Sequence, residues 1–147
     1  MDTLEVKRKV LAYITKGENT ERKILVFDQK GNPEAGLQVP GGTIEEDELL
    51  IDALYREIEE ETGIRREQLE LRGKVHKRNY FPAHRKDVMH ERNIFHLVFI
   101  GDDESEWDNL VKSEGQDNGM IFHCQWLPIY NLPQLAAGQD EDIEFIV

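Results

Sequence analysis

Four glutamates crowd the last two turns of a predicted helix: Glu57, Glu59, Glu60 and Glu61 come just before Gly63. The free carbonyl groups at a helix C-terminus carry roughly half a negative charge, so each carboxylate there is disfavoured by about 0.3–1 kcal/mol. Acid at this end of a helix therefore indicates a positive partner that the local sequence does not supply. A divalent cation is the natural candidate.

The spacing of three of these acids places them together. Glu57, Glu60 and Glu61 stand at i, i+3 and i+4, so their carboxylates share one helix face. That face continues the apolar stripe of Leu50 and Leu54, which is expected to pack on the body of the protein. Clustered carboxylates near a core raise each other's pKa and cost several kcal/mol unless they are neutralised. Three carboxylates with water are suitable ligands for Mg²⁺ or Mn²⁺.

A solvated acidic helix is the alternative interpretation of the same residues. Arg56 could pair with Glu60 at i+4, and Arg65 and Arg66 could compensate the remaining charge. The helix by itself does not decide between these interpretations.

The flanking residues favour the first interpretation. The segment 42–64 resembles the signature of the Nudix hydrolase family, G-x5-E-x7-R-E-U-x-E-E-x-G-U, where U is an aliphatic residue. The signature covers 23 of the 147 residues, and the resemblance outside it is looser. The signature positions all match, and they are Gly42, Glu48, Arg56, Glu57, Ile58, Glu60, Glu61, Gly63 and Ile64.

This resemblance implies a metal site. In the family, the equivalents of Glu57, Glu60 and Glu61 hold a divalent cation, Mg²⁺ or Mn²⁺. A carbonyl oxygen often helps, from the segment equivalent to Pro40, Gly41 and Gly42, which we call the glycine loop. By alignment that carbonyl belongs to Gly41.

The resemblance also implies catalytic roles. Arg56 is expected to orient the carboxylates, and Glu48 is expected to support it through a salt bridge. Glu57 is our first candidate for the general base. Family members commonly recruit a further acid from a loop beyond the helix, and the candidates here are Glu104, Glu106, Glu114 and Asp117.

The implied reaction is hydrolysis of a nucleoside diphosphate linked to another group X. It gives a nucleoside monophosphate and phosphorylated X. A metal would neutralise the diphosphate and lower the pKa of the attacking water. The motif does not specify X, so nucleoside triphosphates, ADP-ribose or other nucleotide sugars, and dinucleoside polyphosphates all stay open.

A basic segment at 72–92 is the second informative feature. It holds seven Lys or Arg residues against two acids in a chain whose net charge is −12. Such a loop can bind phosphate and stack a flat base, although a solvated hairpin explains the same composition. The substrate-binding candidates are Arg78, Arg85 and Arg92 for phosphate, and Tyr80 and Phe81 for stacking.

Length and composition limit the remaining classes. We expect residues 1–147 to form one Nudix hydrolase domain with a nucleotide-like small molecule as its ligand. The acidic net charge argues against an extended nucleic-acid surface, and no long apolar run predicts a membrane segment. Cys124, the single cysteine, predicts a small buried side chain and a reducing, cytoplasmic location. Family members often dimerise, so monomer and homodimer stay open.

The pattern of apolar residues and turns predicts an α/β domain. The resemblance implies an α/β/α sandwich around a mixed β-sheet. Asp47 or a neighbour is expected to cap the main helix, and Gly63 is expected to end it. Trp126 is placed in the core. We predict strands at 6–15, 23–27, 37–39, from 69 to 75 onward, 93–100 and 120–128, and helices at 48–62 and 132–138.

Two other functional classes share the fold. Isopentenyl diphosphate isomerase uses a cysteine and a further acid in its pocket, which makes Cys124 the residue to locate. A non-catalytic module that senses nucleotides is the second alternative. Such modules usually lose a signature carboxylate, and this chain keeps them all.

Overall fold

A mixed sheet of seven strands forms the centre of the computed structural model, which describes residues 3–102 and 105–147. One α-helix packs on it within these described residues. The elements are β1 Glu5–Lys16, β2 Lys23–Gln29, β3 Gly41–Thr43, α1 Leu50–Thr62, β4 Leu69–Tyr80, β5 Val88–Phe99, β6 Glu106–Leu110 and β7 Ile121–Pro128.

The long strand β1 organises the sheet. The strand order is β4-β5-β1-β2-β7-β6, and the short strand β3 also pairs with β1. Only β1 and β5 run parallel among these pairings. One edge of β1 pairs with β3 over Lys9–Leu11 and then with β2 near Thr15. The glycine loop therefore joins the sheet in the middle of β1, directly before the chain enters α1.

Each face of the sheet buries a separate apolar cluster. Leu54 and Ile58 of α1 pack on one face with Trp126. The other face is covered by the C-terminal segment through residues such as Leu135 and Ile143. The expected burial of Trp126 is thus confirmed, and the α/β fold with a mixed sheet is as predicted. The second outer layer consists of 3₁₀ turns and irregular chain within the described residues.

Two predicted elements are wrong. The predicted helix at 132–138 is a single 3₁₀ turn, Ala136–Gly138, in which Ala137 has a φ of 52°. Contacts with distant residues determine the path of this segment instead: the Ala137 carbonyl accepts a hydrogen bond from Arg92, and the Gln139 side chain accepts one from the Val39 N–H. The predicted strand at 37–39 is one isolated bridge between Gln38 and Phe27, because the ladder with β1 forms instead at β3.

The prediction for the start of α1 is wrong, and the prediction for its end is confirmed. The N-cap is Leu49, which makes no side-chain cap, and Asp47 has a left-handed backbone with a φ of 64°. The Glu48 carboxylate instead accepts a hydrogen bond from the Glu45 N–H at 3.0 Å. Gly63 ends the helix as predicted, with a φ of 81°, and its N–H donates to the Glu59 carbonyl.

Cys124 lies in β7 and is fully buried, as predicted. None of the helices in the described residues has the length and apolar character needed to cross a membrane.

Candidate active site

Glu61 is the most buried acid of the helix face. It is 5% exposed, and its Oε1 accepts a hydrogen bond from the Gly41 N–H at 2.7 Å. Burial, followed by the nearby charge of Glu57, raises the pKa of Glu61 well above its usual range. The glycine loop thus binds this carboxylate through a backbone N–H and without a full counter-charge.

Two glycines bring the loop against the helix. A Cβ on Gly42 would lie 2.3 Å from the carboxyl carbon of Glu57, and a Cβ on Gly41 would lie 2.4 Å from the Val10 carbonyl oxygen. No larger residue fits either position without movement. The signature glycine is therefore needed for the close approach of β3 to α1.

Arg56 connects the acids to the loop. Its Nε and Nη2 donate to the two carboxylate oxygens of Glu48 at 2.6 and 2.8 Å. Its Nη1 donates to Glu57 at 2.8 Å and lies 3.4 Å from Glu60, and Nη2 also donates to the Thr43 carbonyl. This bidentate pair lowers the pKa of Glu48 and raises that of Arg56. Arg56 thus lies between Glu48 and the acids of the helix face.

Arg56 neutralises the acids only in part. Burial raises the pKa of Glu57 to about 7, even though Arg56 acts in the opposite direction. Arg56 contacts Glu57 and Glu60, whereas the more deeply buried Glu61 accepts its hydrogen bond from the Gly41 N–H. A solvated acidic helix does not account for these buried carboxylates.

The acids line a cavity of about 390 Å³ between α1, the glycine loop and the β6–β7 loop. In the described part of the chain, no three acidic, histidine or cysteine side chains converge closely enough to hold a metal ion as they stand. The donor chemistry nevertheless fits a hard divalent cation. A positive ion stabilises the charged form of nearby carboxylates, and it does so most where burial has raised their pKa values. The carboxylates that line this cavity belong to Glu45, Glu57, Glu60, Glu61, Glu114 and Asp117.

The structure distinguishes the candidate loop acids. Asp117 and Glu114 line the cavity, and the charge of Asp117 contributes to the raised pKa of Glu61. Glu106 lies on β6 beside His123, at 3.3 Å. Glu104 lies outside the described residues. Sequence could not make this choice, because it depends on how the loop folds back over α1.

A second cavity of about 430 Å³ adjoins the first. Three of the residues proposed from the sequence as substrate contacts, Tyr80, Arg85 and Arg92, line this cavity. Arg78 lies elsewhere and donates two hydrogen bonds of 2.9 Å to Asp142.

Three other features of this second cavity bear on the sequence predictions. Phe81 is 59% exposed and is not among the residues that line the cavity. Sequence reasoning missed Lys9, whose Nζ donates to the Thr43 hydroxyl at 2.6 Å and which lines both cavities. The alternation of Lys7 and Lys9 along β1 was the available signal. Gln139, which also lines the second cavity, had no signal in the sequence.

Comparison with known proteins shows the family of this chain. The family model of the NUDIX domain matches residues 6–146. The chain therefore belongs to the Nudix hydrolase family. An RNA pyrophosphohydrolase of Stenotrophomonas maltophilia (strain K279a) is 29% identical over 103 residues, which are 65% of this chain and 48% of that protein. The chain thus spans about half the length of this curated relative.

Solved structures show the same fold. A C. elegans Ap4A hydrolase in a binary complex superposes with a TM-score of 0.68 at 16% identity, covering 95% of this chain and 94% of that one. The MutT protein of Methanosarcina mazei Go1 gives a TM-score of 0.64 at 21% identity, covering 97% and 94%. At these identities the likeness establishes the fold and nothing finer.

Proposed function

We propose that this protein is a metal-dependent hydrolase that cleaves the phosphoanhydride of a nucleoside diphosphate linked to a second group. The products are a nucleoside monophosphate and the phosphorylated second group. One observation carries the proposal: Glu57, Glu60 and Glu61 face Asp117 and the glycine loop across one cavity.

The resident ion would be Mg²⁺ or Mn²⁺, held by Glu57, Glu60 and Glu61 with the Gly41 carbonyl. When bound, such an ion neutralises adjacent phosphates, polarises the phosphoryl oxygen and lowers the pKa of water. Arg56, itself bound to Glu48, contacts Glu57 and Glu60 and would hold these two acids in place.

Glu57 is the proposed general base. Its carboxylate lines the cavity beside Glu60 and Glu61, where the attacking water would lie. It would take a proton from water attacking phosphorus in line with the leaving group. Asp117 is the second candidate for this role because it lines the same cavity.

The nucleotide-like substrate would extend into the second cavity. Tyr80, Arg85 and Arg92 line this space and are the proposed contacts to the rest of the molecule. The Arg78 prediction loses support because its guanidinium is already paired with Asp142. We further propose one domain acting in the cytoplasm on a small molecule.

The two alternative functions make different demands on the site. An isomerase of the isopentenyl type needs an accessible cysteine, whereas Cys124 is fully buried and burial raises its pKa to about 12. A nucleotide sensor would bind without turnover. The complete set of signature acids around the cavity favours an enzyme.

The test is formation of nucleoside monophosphate, measured by chromatography, from a panel of nucleotides with Mg²⁺ or Mn²⁺. Glu61→Gln should abolish turnover, and Glu59→Gln should retain it, because Glu59 is an exposed acid of the same helix. Binding of a nucleotide by the wild type without turnover on any panel member would favour the sensor instead.

A further inference from the structure

Basic residues lie opposite each other on the parallel strands β1 and β5, and Lys9 and Arg92 form a pair of like charges. Lys7 is in register with His90, and Lys9 is in register with Arg92. All four side chains line the second cavity, so they share one face of the sheet. Cationic residues directly opposite one another destabilise a sheet unless an anion lies between them.

Arg92 is the most deeply buried member of the cationic cluster, which we define as Lys7, Lys9 and Arg92; His90 lies beside it but is neutral near pH 7. Arg92 is 5% exposed, donates to the Ala137 carbonyl at 2.8 Å and stacks 3.8 Å from the Tyr80 ring centre. In the described part of the chain it forms no ion pair. Its desolvation is therefore only partly compensated: burial lowers the pKa of Arg92, although the charges of Tyr80, Glu141 and Asp142 act in the opposite direction.

The pKa values of its neighbours Lys9 and His90 are both lowered. Burial, followed by repulsion from Lys7, lowers the pKa of Lys9, although Glu57 and Asp117 act in the opposite direction. Burial lowers the pKa of His90 to about 4, and Lys9 and Arg92 contribute. The positive charge at this place therefore belongs to Lys7, Lys9 and Arg92, which line one face of the cavity.

The cluster is continuous with the acidic cavity. Gly41, Gly42, Glu61 and Asp117 line both cavities, together with Lys7 and Lys9. A molecule whose phosphoanhydride lies at the helix acids can therefore extend over the cationic cluster.

We propose that the cationic cluster binds a phosphate beyond the anhydride that is cleaved. The substrate is then a compound with three or more consecutive phosphates, and not a nucleotide sugar whose second group is uncharged. This inference rests on the proposed hydrolase function and narrows its substrate class.

The experiment measures binding of inorganic tripolyphosphate by calorimetry in excess EDTA, where no turnover occurs. We expect Lys7→Gln and Lys9→Gln each to weaken binding about tenfold relative to wild type. Lys23→Gln is the matched control, because this exposed residue at the start of β2 lines neither cavity. Circular dichroism and melting curves establish that each variant is folded.

A second arm compares tripolyphosphate with ADP-ribose under the same conditions. The wild type should bind tripolyphosphate at least tenfold more tightly. The proposal is overturned if Lys7→Gln and Lys9→Gln bind tripolyphosphate as Lys23→Gln does, or if ADP-ribose binds as tightly. Because the measurement needs neither metal nor turnover, its failure is distinct from a failure of the hydrolase proposal.

Discussion

At the scale of single residues, Arg56 holds the acidic face together through its planar fork. It donates two hydrogen bonds to Glu48 and a third to Glu57. Lysine carries the same charge but cannot reproduce a bidentate contact. We expect Arg56→Lys to lower the free energy of unfolding by about 2 kcal/mol, measured by urea denaturation.

The matched control for this change is Arg72→Lys. Arg72 is exposed on β4 and forms one ion pair with Glu70, so its replacement should cost less than about 0.5 kcal/mol. Equal losses for the two variants would show that the fork of Arg56 has no special role.

The raised pKa of Glu57 predicts that the stability of the metal-free protein depends on pH. Its folded-state pKa is about 7, above the ordinary value of 4.5, so the folded state binds the proton more tightly than the unfolded state does. This contribution is fully present below pH 4.5 and is lost as pH rises through 7. Relative to Glu57→Gln, the wild type should gain on the order of 2–3 kcal/mol between pH 8 and pH 5.

The comparison with Glu57→Gln is necessary because two histidines act in the opposite direction. Burial lowers the pKa values of His90 and His96 to about 4, so their contribution is lost as pH falls toward 4. The difference between wild type and variant cancels them. A difference that does not change with pH would contradict the assigned environment of Glu57.

At the scale of elements, Gly41 and Gly42 of β3 allow this strand to lie close to both β1 and α1. A Cβ at Gly42 meets only the flexible end of Glu57, whereas one at Gly41 meets the backbone of Val10. Gly42→Ala should therefore lower turnover more than tenfold with a stability loss below about 1 kcal/mol. Gly41→Ala should cost about 1–3 kcal/mol of stability.

Melting curves and steady-state kinetics on both variants separate these effects. If Gly42→Ala keeps full turnover, the position of Glu57 does not matter for the reaction. If Gly41→Ala is as stable as wild type, β3 does not depend on close approach to β1.

Sequence predicted most of the elements that have a strong local pattern. The signature placed α1 to within two residues of its start and at its observed end, and Gly63 ends it as a left-handed cap. The prediction for Asp47 failed because its neighbour Glu48 turns toward Arg56 instead of allowing a local cap. The segment 132–138 failed because contacts with distant residues, and not helix propensity, determine its path.

At the scale of the whole molecule, the C-terminal segment closes one face of the sheet and forms a wall of the second cavity. The Val39 N–H donates to the Gln139 side chain at 2.8 Å, and the Tyr13 hydroxyl donates to the Gln139 carbonyl. Asp142 is 1% exposed and pairs with Arg78 from β4. These contacts join the segment to β1, to β4 and to Val39, which comes just before the glycine loop.

Asp142→Asn should lower the free energy of unfolding by about 2 kcal/mol. This is less than the ~3–5 kcal/mol of a fully buried pair, because Arg78 remains partly in solvent. Glu141→Gln is the control, since Glu141 is half exposed and contacts the same arginine at 3.3 Å. Chemical denaturation of both variants tests the prediction, and equal stabilities would contradict it.

The parts of the site that come together only in the folded chain could not be placed from the sequence. Glu57, Glu60 and Glu61 are local neighbours on one helix and were predictable from spacing. Lys9 and Asp117 reach the cavity from separate parts of the chain. Their place depends on strand register and on the path of a loop, which no local pattern specifies.

Binding of Mn²⁺ tests the central claim, that the carboxylates of α1 form a cation site, most directly. The free ion is followed by electron paramagnetic resonance in wild type, Glu61→Gln and Glu59→Gln. We expect wild type and Glu59→Gln to bind alike, and Glu61→Gln to bind at least about tenfold more weakly because it loses a buried carboxylate ligand. Equal binding by all three proteins, or no binding by wild type, would contradict the claim.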